Sequence, residues 1–362
     1  QVEQCRSEGT GSAHDDSCAM SALQHLQRLH RAGASDVQAL EDAVRAALAT
    51  PVHEAASGAE EDAELEAQQR LHQAIFEDPV ACSYPPPRVA RRHMLRSVLA
   101  ALDAGLVAEV DDELYAACVQ GLTGTNGGAE TDGFDGYRTL EIPGAGCIVL
   151  RVAAQMGGDM ETGSTLWTAG CALLGLTAAG ALDAHVAGHV LELGAGTGAL
   201  GLALARRSGP VSRVTLTDGQ PAVVENLRHN VAATSTLSSL GATVEVRHLE
   251  WSSPDLDALP AEAVDVVIGS DLVYDAACLP ALAGLLRRLL RPYGTAAVAV
   301  LAITRRSEET FRRLESALED ASLAHEDLEV SPSACRAAAA WLPLAHDWRA
   351  AGAGAGTGGA AH

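Results

Sequence analysis

Lysine is missing from this chain. All 25 basic residues among its 362 are arginine, set against 47 Asp and Glu, for a formal net charge of −22. Nucleic acids are bound through a basic face, so a chain this acidic suits phosphate backbones poorly and a basic protein segment well.

Other absences narrow the class. No apolar run reaches the ~18 residues a membrane helix needs, and the polar stretch from Gln1 lacks the apolar core of a signal peptide. A soluble, cytoplasmic, monomeric protein is expected. The chain starts at Gln1 rather than at methionine, which leaves room for a preceding segment, a targeting one included. The 8 cysteines, at 5, 18, 82, 118, 147, 171, 278 and 335, form no Cys-x-x-Cys pair. That argues against a zinc site and a disulfide framework, and for free thiols in the core. His185 and His189 have i,i+4 spacing, but Gly188 and the start of a strand separate them, so surface histidines rather than a metal pair are expected.

What is present centres on His189-Val-Leu-Glu-Leu-Gly-Ala-Gly-Thr-Gly-Ala-Leu-Gly201, an apolar strand running into a glycine-dense turn and then a helix. Without Cβ atoms, Gly194, Gly196 and Gly198 let the turn adopt conformations closed to other residues and let a ligand approach the main chain, Ala195 included. The spacing is Gly-x-Gly-x-Gly, which departs from the Gly-x-Gly-x-x-Gly turn that seats a pyrophosphate. Glu192, inside the strand, would repel a pyrophosphate and could help hold a cationic ligand. Asp218 closes the next strand, Arg213-Val-Thr-Leu-Thr-Asp218, where such folds place an acid on ribose hydroxyls. A ribose-bearing ligand without a pyrophosphate is implied, and S-adenosylmethionine fits that description.

The periodicity divides the chain. Residues 1–121 read as an all-helical module, with Met20, Leu23, Leu26 and Leu29 on one helix and Val37, Leu40, Val44 and Leu48 on the next, after a cap at Ser35 or Asp36. A third pattern ends near Phe76, before Asp78-Pro79. Pro85 to Pro87 open a fourth carrying Val89, Met94, Leu95, Val98 and Leu102, and a short one runs from Asp111 past Tyr115. Residues 122–136, rich in Gly, Thr and Asp, form a linker, and 350–362 a disordered Gly/Ala tail. Between them, in 137–349, a hairpin turning at Pro143-Gly-Ala-Gly146 precedes strands near 189–193, 212–217, 242–248, 264–270 and 295–303, with helices between. That alternation predicts a parallel sheet covered on both faces, with Gly194, Asp218, Trp251 and Asp271 at the carboxyl ends of its strands, where such sheets bind ligands.

The runs Leu191-Glu-Leu-Gly-Ala-Gly-Thr-Gly198, Leu249-Glu-Trp251 and Asp265-Val-Val-Ile-Gly-Ser-Asp-Leu-Val-Tyr274 together resemble the seven-β-strand protein-lysine methyltransferases over roughly 137–345. The resemblance implies an α/β fold with a Rossmann-like, seven-stranded, mostly parallel sheet (a class I methyltransferase), S-adenosylmethionine as cofactor and a protein as substrate. The helical module is most similar to that of the members acting on elongation factor 2, which makes that factor the expected partner. By resemblance, Trp167 lies near the methionine part of the cofactor, Trp251 flanks the adenine and Ser270 lines the pocket. Asp271 and Tyr274 fill the family's Asp-x-x-Tyr motif where the target lysine enters. Glu250 stands where Asp is more usual.

Plainer roles remain open for several of these residues. Trp251 also suits a ring that caps the sheet, Asp271 a cap for the helix that follows it, and Tyr274 a core ring with its hydroxyl satisfied. Rival functions are the same fold acting on another protein or a small molecule, and a non-catalytic cofactor-binding scaffold. Methylation of a base amine is disfavoured because the motif reads Ser-Asp-Leu-Val-Tyr, without an Asn-Pro-Pro type of turn. A nicotinamide oxidoreductase is disfavoured by the glycine spacing and Glu192.

Overall fold

Residues 11–49, 59–124, 134–153, 163–252, 263–273, 275–291 and 296–341 are described in the computed structural model. They divide into two compact units, one drawn from Gln1–Thr131 with Tyr137–Thr139, the other from Asp132–Gly136 with Leu140–His362.

The first unit is helical. It comprises α1 (Gly11–Arg31), α2 (Val37–Leu48), α3 (Ala59–Phe76), the short α4 (Pro79–Ser83), α5 (Arg88–Asp103) and α6 (Asp112–Thr123). Aspartates start three of them by accepting from amides that lack an intrahelical partner. Asp36 takes the Ala39 N–H at 3.0 Å, Asp111 the Leu114 N–H at 2.7 Å, and Asp78 those of Val80 and Ala81. The apolar stripes meet in one core that includes Leu26, Leu40, Val44, Leu71, Met94, Val98 and Leu114. Val37 and Val89, expected on those stripes, are exposed at 46% and 58%, because each lies in the first turn of its helix and outside the core-facing arc.

Asp78 also receives both guanidinium arms of Arg31, each at 2.6 Å. Burial alone would push its carboxyl up, but the Arg31 bonds and the two cap amides hold it below the usual carboxylate range. Nearby His30 is buried, and that burial drives its imidazole down to about 4 despite Asp78, so it is neutral near physiological pH.

Next comes a two-stranded hairpin, β1 (Phe134–Ile142) and β2 (Gly146–Ala153), which belongs to the second unit apart from Tyr137–Thr139. The main sheet of that unit holds β3 (Gly188–Leu193), β4 (Val211–Asp218), β5 (Thr243–His248), β6 (Val266–Ser270) and β7 (Val298–Ala302), all parallel, in the order β5-β4-β3-β6-β7. Around it lie α7 (Thr168–Ala178), α8 (Ala199–Arg206), α9 (Pro221–Leu237), α10 (Leu279–Leu289), α11 (Glu308–Asp320) and α12 (Pro332–Trp341).

Alternation explains the two covered faces. Val190, Val214, Leu216, Val266 and Ile268 feed one apolar cluster, while their strand neighbours Leu191, Leu193 and Val267 feed another. Continuous apolar strands of this kind are buried on both sides, as parallel sheets require. The chain leaves β3 in one direction to build β4 and β5, and later in the other to build β6 and β7. The crevice at the carboxyl ends of the central strands is the natural ligand position.

The α/β class is the expected one, but the strand count is not. Among the described residues the main sheet has five strands, with two more in the separate hairpin. The segment 323–330 forms no strand and is largely exposed, with His325, Glu326, Asp327 and Glu329 interrupting its apolar positions. At the presumed linker, α6 continues to Thr123 and β1 starts at Phe134, inside both ends of 122–136. Residues 125–133 and the expected disordered tail lie outside the described residues.

Two further expectations change. Cys118 and Cys171 are buried, but Cys82 and Cys335 are exposed, so the thiols are not uniformly core groups. His189 is no surface residue: it is buried, its ring nitrogens 3.2 Å from the Ala263 carbonyl and 2.9 Å from the Thr215 hydroxyl. Its side chain turns into the sheet face because strand residues alternate.

Candidate active site

A cavity of about 420 Å³ opens at the carboxyl ends of β3, β4 and β6. That volume accommodates a nucleoside-sized ligand. Of the residues singled out in the sequence, Trp167, Glu192, Gly194, Ala195, Gly196, Asp218, Trp251, Ser270 and Asp271 all line it. Gly198 is one step behind, where it caps α8 in a left-handed conformation. Tyr274 lies outside the described residues.

The glycines are required for two separate reasons. Gly194, Gly196 and Gly198 have φ of +57°, +55° and +80°, a region L side chains rarely adopt. Space is also lacking. A Cβ on Gly194 would come 2.7 Å from Leu272 Cδ2 and 3.4 Å from the Trp251 ring, and one on Gly196 would come 3.1 Å from the Gly163 carbonyl oxygen. The turn is braced by the Gly196 N–H, which donates to Asp218 at 3.2 Å, and by the Thr197 carbonyl, which accepts from Asn230 at 2.9 Å.

Asn230 belongs to a buried polar stripe on α9. Asn230 and Thr234 accept from the Arg151 and Val149 amides of β2 at 2.8 and 3.0 Å, and Asn226 accepts from the Arg151 side chain at 2.9 Å. The helix thereby occupies main-chain groups on a strand that is a sheet edge, and connects the hairpin to the glycine turn. Sequence reasoning missed this stripe, although its i, i+4, i+8 spacing was a readable signal.

The carboxylates divide the work. Asp218 accepts from Gly196 and from Gln220 at 3.2 and 3.0 Å, and burial nevertheless keeps its carboxyl above the usual range. Glu192 departs from expectation. Its side chain is turned to the Gly201 N–H at 2.9 Å, and complete burial, reinforced by Asp218, pushes it up to about 8 against that bond. A carboxyl mostly protonated at neutral pH is not the anion foreseen for holding a cation. Gly201 makes the contact possible, since a Cβ there would meet Glu192 Oε2 at 2.6 Å.

Asp271 directly follows β6 with φ +49°, one of two described non-glycine residues in that region. Its Oδ2 accepts from the Ala169 N–H at 3.1 Å and its Oδ1 from the Thr304 N–H at 3.0 Å. It therefore caps α7, a helix earlier in the chain and not the one that follows it, and it fastens the segment after β7. Trp167 begins α7 without making a side-chain cap itself, which leaves the amide for Asp271. The Ser270 hydroxyl lies against Gly170, where a Cβ would be 3.1 Å from it.

The cavity also recruits Thr165, Gln220, Glu250, Cys278 and Arg306. Adjacency to Trp251 and Asp218 could have flagged Glu250 and Gln220. Nothing in the sequence pointed to Arg306.

A nucleoside-sized ligand fits these residues. The glycine turn is already crowded at every Cβ position, the Trp251 ring stands beside Gly194 as an aromatic wall, and a half-buried acid closes β4 at the cavity. Among the described residues no cluster of His, Cys, Asp or Glu could hold a metal ion, and no helix is long and apolar enough to cross a membrane.

Comparison with known proteins bears on this site. Residues 148–317 match the sequence profile of a family described as lysine methyltransferase. The protein-lysine N-methyltransferase EEF2KMT of Homo sapiens is 29% identical over 252 residues, covering 66% of this chain and 72% of its own. The EEF1A lysine methyltransferase 3 of Mus musculus is 32% identical over 189 residues, covering 52% of this chain and 77% of its own. The protein-lysine N-methyltransferase EFM3 of Chaetomium thermophilum is 34% identical over 128 residues, 34% of this chain and 37% of its own.

Proposed function

Because this chain belongs to the lysine methyltransferase family, we propose that it methylates a lysine of elongation factor 2, with Asp271 directing the target amine. It is an S-adenosylmethionine-dependent protein-lysine N-methyltransferase. When bound, the cofactor supplies a sulfonium methyl group, which the amine lone pair takes as the carbon–sulfur bonding electrons return to sulfur.

The remaining work belongs to the protein. Gly194 to Gly196 let the cofactor approach the main chain, Asp218 takes the ribose hydroxyls, Trp251 covers the adenine, and Trp167 with Ser270 bounds the methionine end. With an activated methyl at hand, positioning the amine in line and excluding water is the main catalytic contribution. A free lysine is protonated at neutral pH, with a pKa of ~10.4, so a proton must leave before attack. Asp271 orients the amine, and water or Tyr274 carries the proton away. The observation that carries this reading is Asp271 itself, held rigidly at the cavity by two main-chain N–H groups. A carboxylate oxygen has a further lone pair for an incoming N–H.

The choice of elongation factor 2 is supported by the reach of the resemblance. The match to EEF2KMT spans 66% of the chain, more than the catalytic unit alone contains, whereas the match to the EEF1A enzyme covers 52%. We assign docking of the protein substrate to the helical unit, and the cytoplasm, where translation factors work, as the location. The higher identity to the EEF1A enzyme favours elongation factor 1A as a second reading.

Incubation with labelled cofactor and a lysate of cells lacking the activity tests the choice. A single labelled band at the mass of elongation factor 2 is expected. A band at the mass of elongation factor 1A selects the second reading, and no label in any fraction contradicts both and favours a scaffold.

A further inference from the structure

Among the described residues lining the cavity, Arg306 is the one cationic side chain; the others that ionise are Glu192, Asp218, Glu250, Asp271 and Cys278. It follows β7 in the run Thr304-Arg-Arg306, and the two arginines part. Arg305 turns to α11, 3.4 Å from Glu308 and 4.1 Å from the Phe311 ring centroid. Arg306 turns to the cavity, its guanidinium 5.0 Å from the Trp167 ring centroid and 3.8 Å from Asp271 Oδ2. The pair with Asp271 is an ion pair without a hydrogen bond, since 3.8 Å is too long for one. The side chain of Asp271 is 9% exposed and that of Arg306 48%, so the cation lies on the solvent side of the carboxylate.

This arrangement addresses a problem that Asp271 creates. A carboxylate facing the target amine attracts its ammonium form and raises its pKa, which holds the proton that must leave. A cation beside the carboxylate cancels that effect. We propose that Arg306 is a positioning residue that balances the charge of Asp271 at the mouth of the cavity, so that the entering lysine is held as the neutral amine.

The charges on every side are consistent with this division. Asp271 contributes the facing acid from the end of β6 and Trp167 an uncharged aromatic face from α7, while Glu308 of α11 is occupied by Arg305. Glu192 and Asp218 are turned to the amides of Gly201, Gly196 and Gln220, and Glu250 to the Ser252 amide and hydroxyl, none of them to Arg306. Cys278 is held as a thiol by burial, with Asp275 and Glu250 adding to the effect.

The inference rests on the proposal that Asp271 faces the amine, and the test separates the two. The substrate is the protein that the wild-type enzyme labels in a lysate, purified from cells lacking the activity. The pH profile of kcat reports groups in the enzyme–substrate complex. In Arg306→Gln the inflection of kcat is expected to move up by about one pH unit, so that kcat falls about tenfold at neutral pH and recovers at alkaline pH. Arg306→Lys keeps the charge and the wild-type inflection.

Binding gives a second readout. At neutral pH the substrate protein is expected to bind Arg306→Gln several-fold more tightly than wild type, because the unbalanced carboxylate holds the ammonium. Quenching of tryptophan fluorescence by S-adenosylmethionine shows that each variant is folded. A uniform fall in kcat with an unmoved inflection, or weaker substrate binding, overturns the role of Arg306. If Asp271→Ala keeps wild-type transfer, the fault lies instead with the facing role of Asp271.

Discussion

At the scale of single residues, the glycine turn shows how little tolerance the cavity has. Gly194→Ala must place a Cβ 2.7 Å from Leu272 while holding φ at +57°. The left-handed conformation alone costs an L residue about 1–2 kcal/mol, and the crowding adds to it. Each ~1.4 kcal/mol is tenfold in affinity. The affinity for S-adenosylmethionine, read from tryptophan quenching, is therefore expected to fall about tenfold or more. An unchanged affinity contradicts the close approach inferred for this glycine.

The same turn shows what can be read in a sequence. Three glycines after an apolar strand announce a main-chain cradle, since only backbone freedom explains their density. Glu192 was legible as an acid in the right place but not as a protonated one. Its state depends on full burial and on the Gly201 N–H aimed at it nine positions later. Asp271 was legible through its spacing to Tyr274, whereas its two amide partners come from Ala169 and Thr304, distant in the chain. Arg306 was invisible for the same reason: its significance comes from β7 ending beside α7 and β6, which is a property of sheet order.

Among the elements, the helices and strands were the readable part. Asp36, Asp78 and Asp111 mark helix starts by short-range chemistry, and β3 to β7 stand out as apolar runs between helical patterns. The strand count was less accessible, because the number came from the resemblance and not from apolar runs, of which the sequence shows five after the hairpin.

The elements also differ in how they respond to pH. His30, at the end of α1, has its pKa depressed from 6.5 to about 4. Its contribution to stability is present above pH 6.5 and is lost as pH falls through about 4. A fall from 6.5 to about 4 is on the order of 3 kcal/mol. Glu192 has the opposite sign. Its pKa is raised from 4.5 to about 8, so its contribution is present below pH 4.5 and is lost as pH rises through about 8. The helical unit is thus expected to weaken on acidification and β3 on alkalinisation. Urea unfolding followed by far-UV dichroism between pH 6.5 and 4 tests the first part. His30→Leu should flatten the acid slope, and a slope unaltered by that change contradicts it.

For the whole molecule, the two units carry different questions. The second unit has the glycine turn, Asp218 at the end of β4 and Asp271 clamped by two amides, the features on which the proposed methyl transfer rests. The helical unit has none of that chemistry among its described residues, and the docking role proposed for it is a separate question. A chain with a formal net charge of −22 is suited to attract a basic protein surface. Since the chain contains no lysine, label transferred to lysine in a reaction mixture reports the substrate alone, with no background from the enzyme.

That absence makes one measurement the most direct. Purified elongation factor 2 from cells lacking the activity is incubated with labelled S-adenosylmethionine and either wild type or Asp271→Ala, and the labelled peptide is mapped. With wild type the label is expected on a lysine side chain. With Asp271→Ala transfer is expected to fall by about a hundredfold, the scale on which misplaced reacting groups lose rate, while cofactor quenching persists. Wild-type transfer by Asp271→Ala, or no lysine label from a wild-type protein that binds the cofactor, contradicts it.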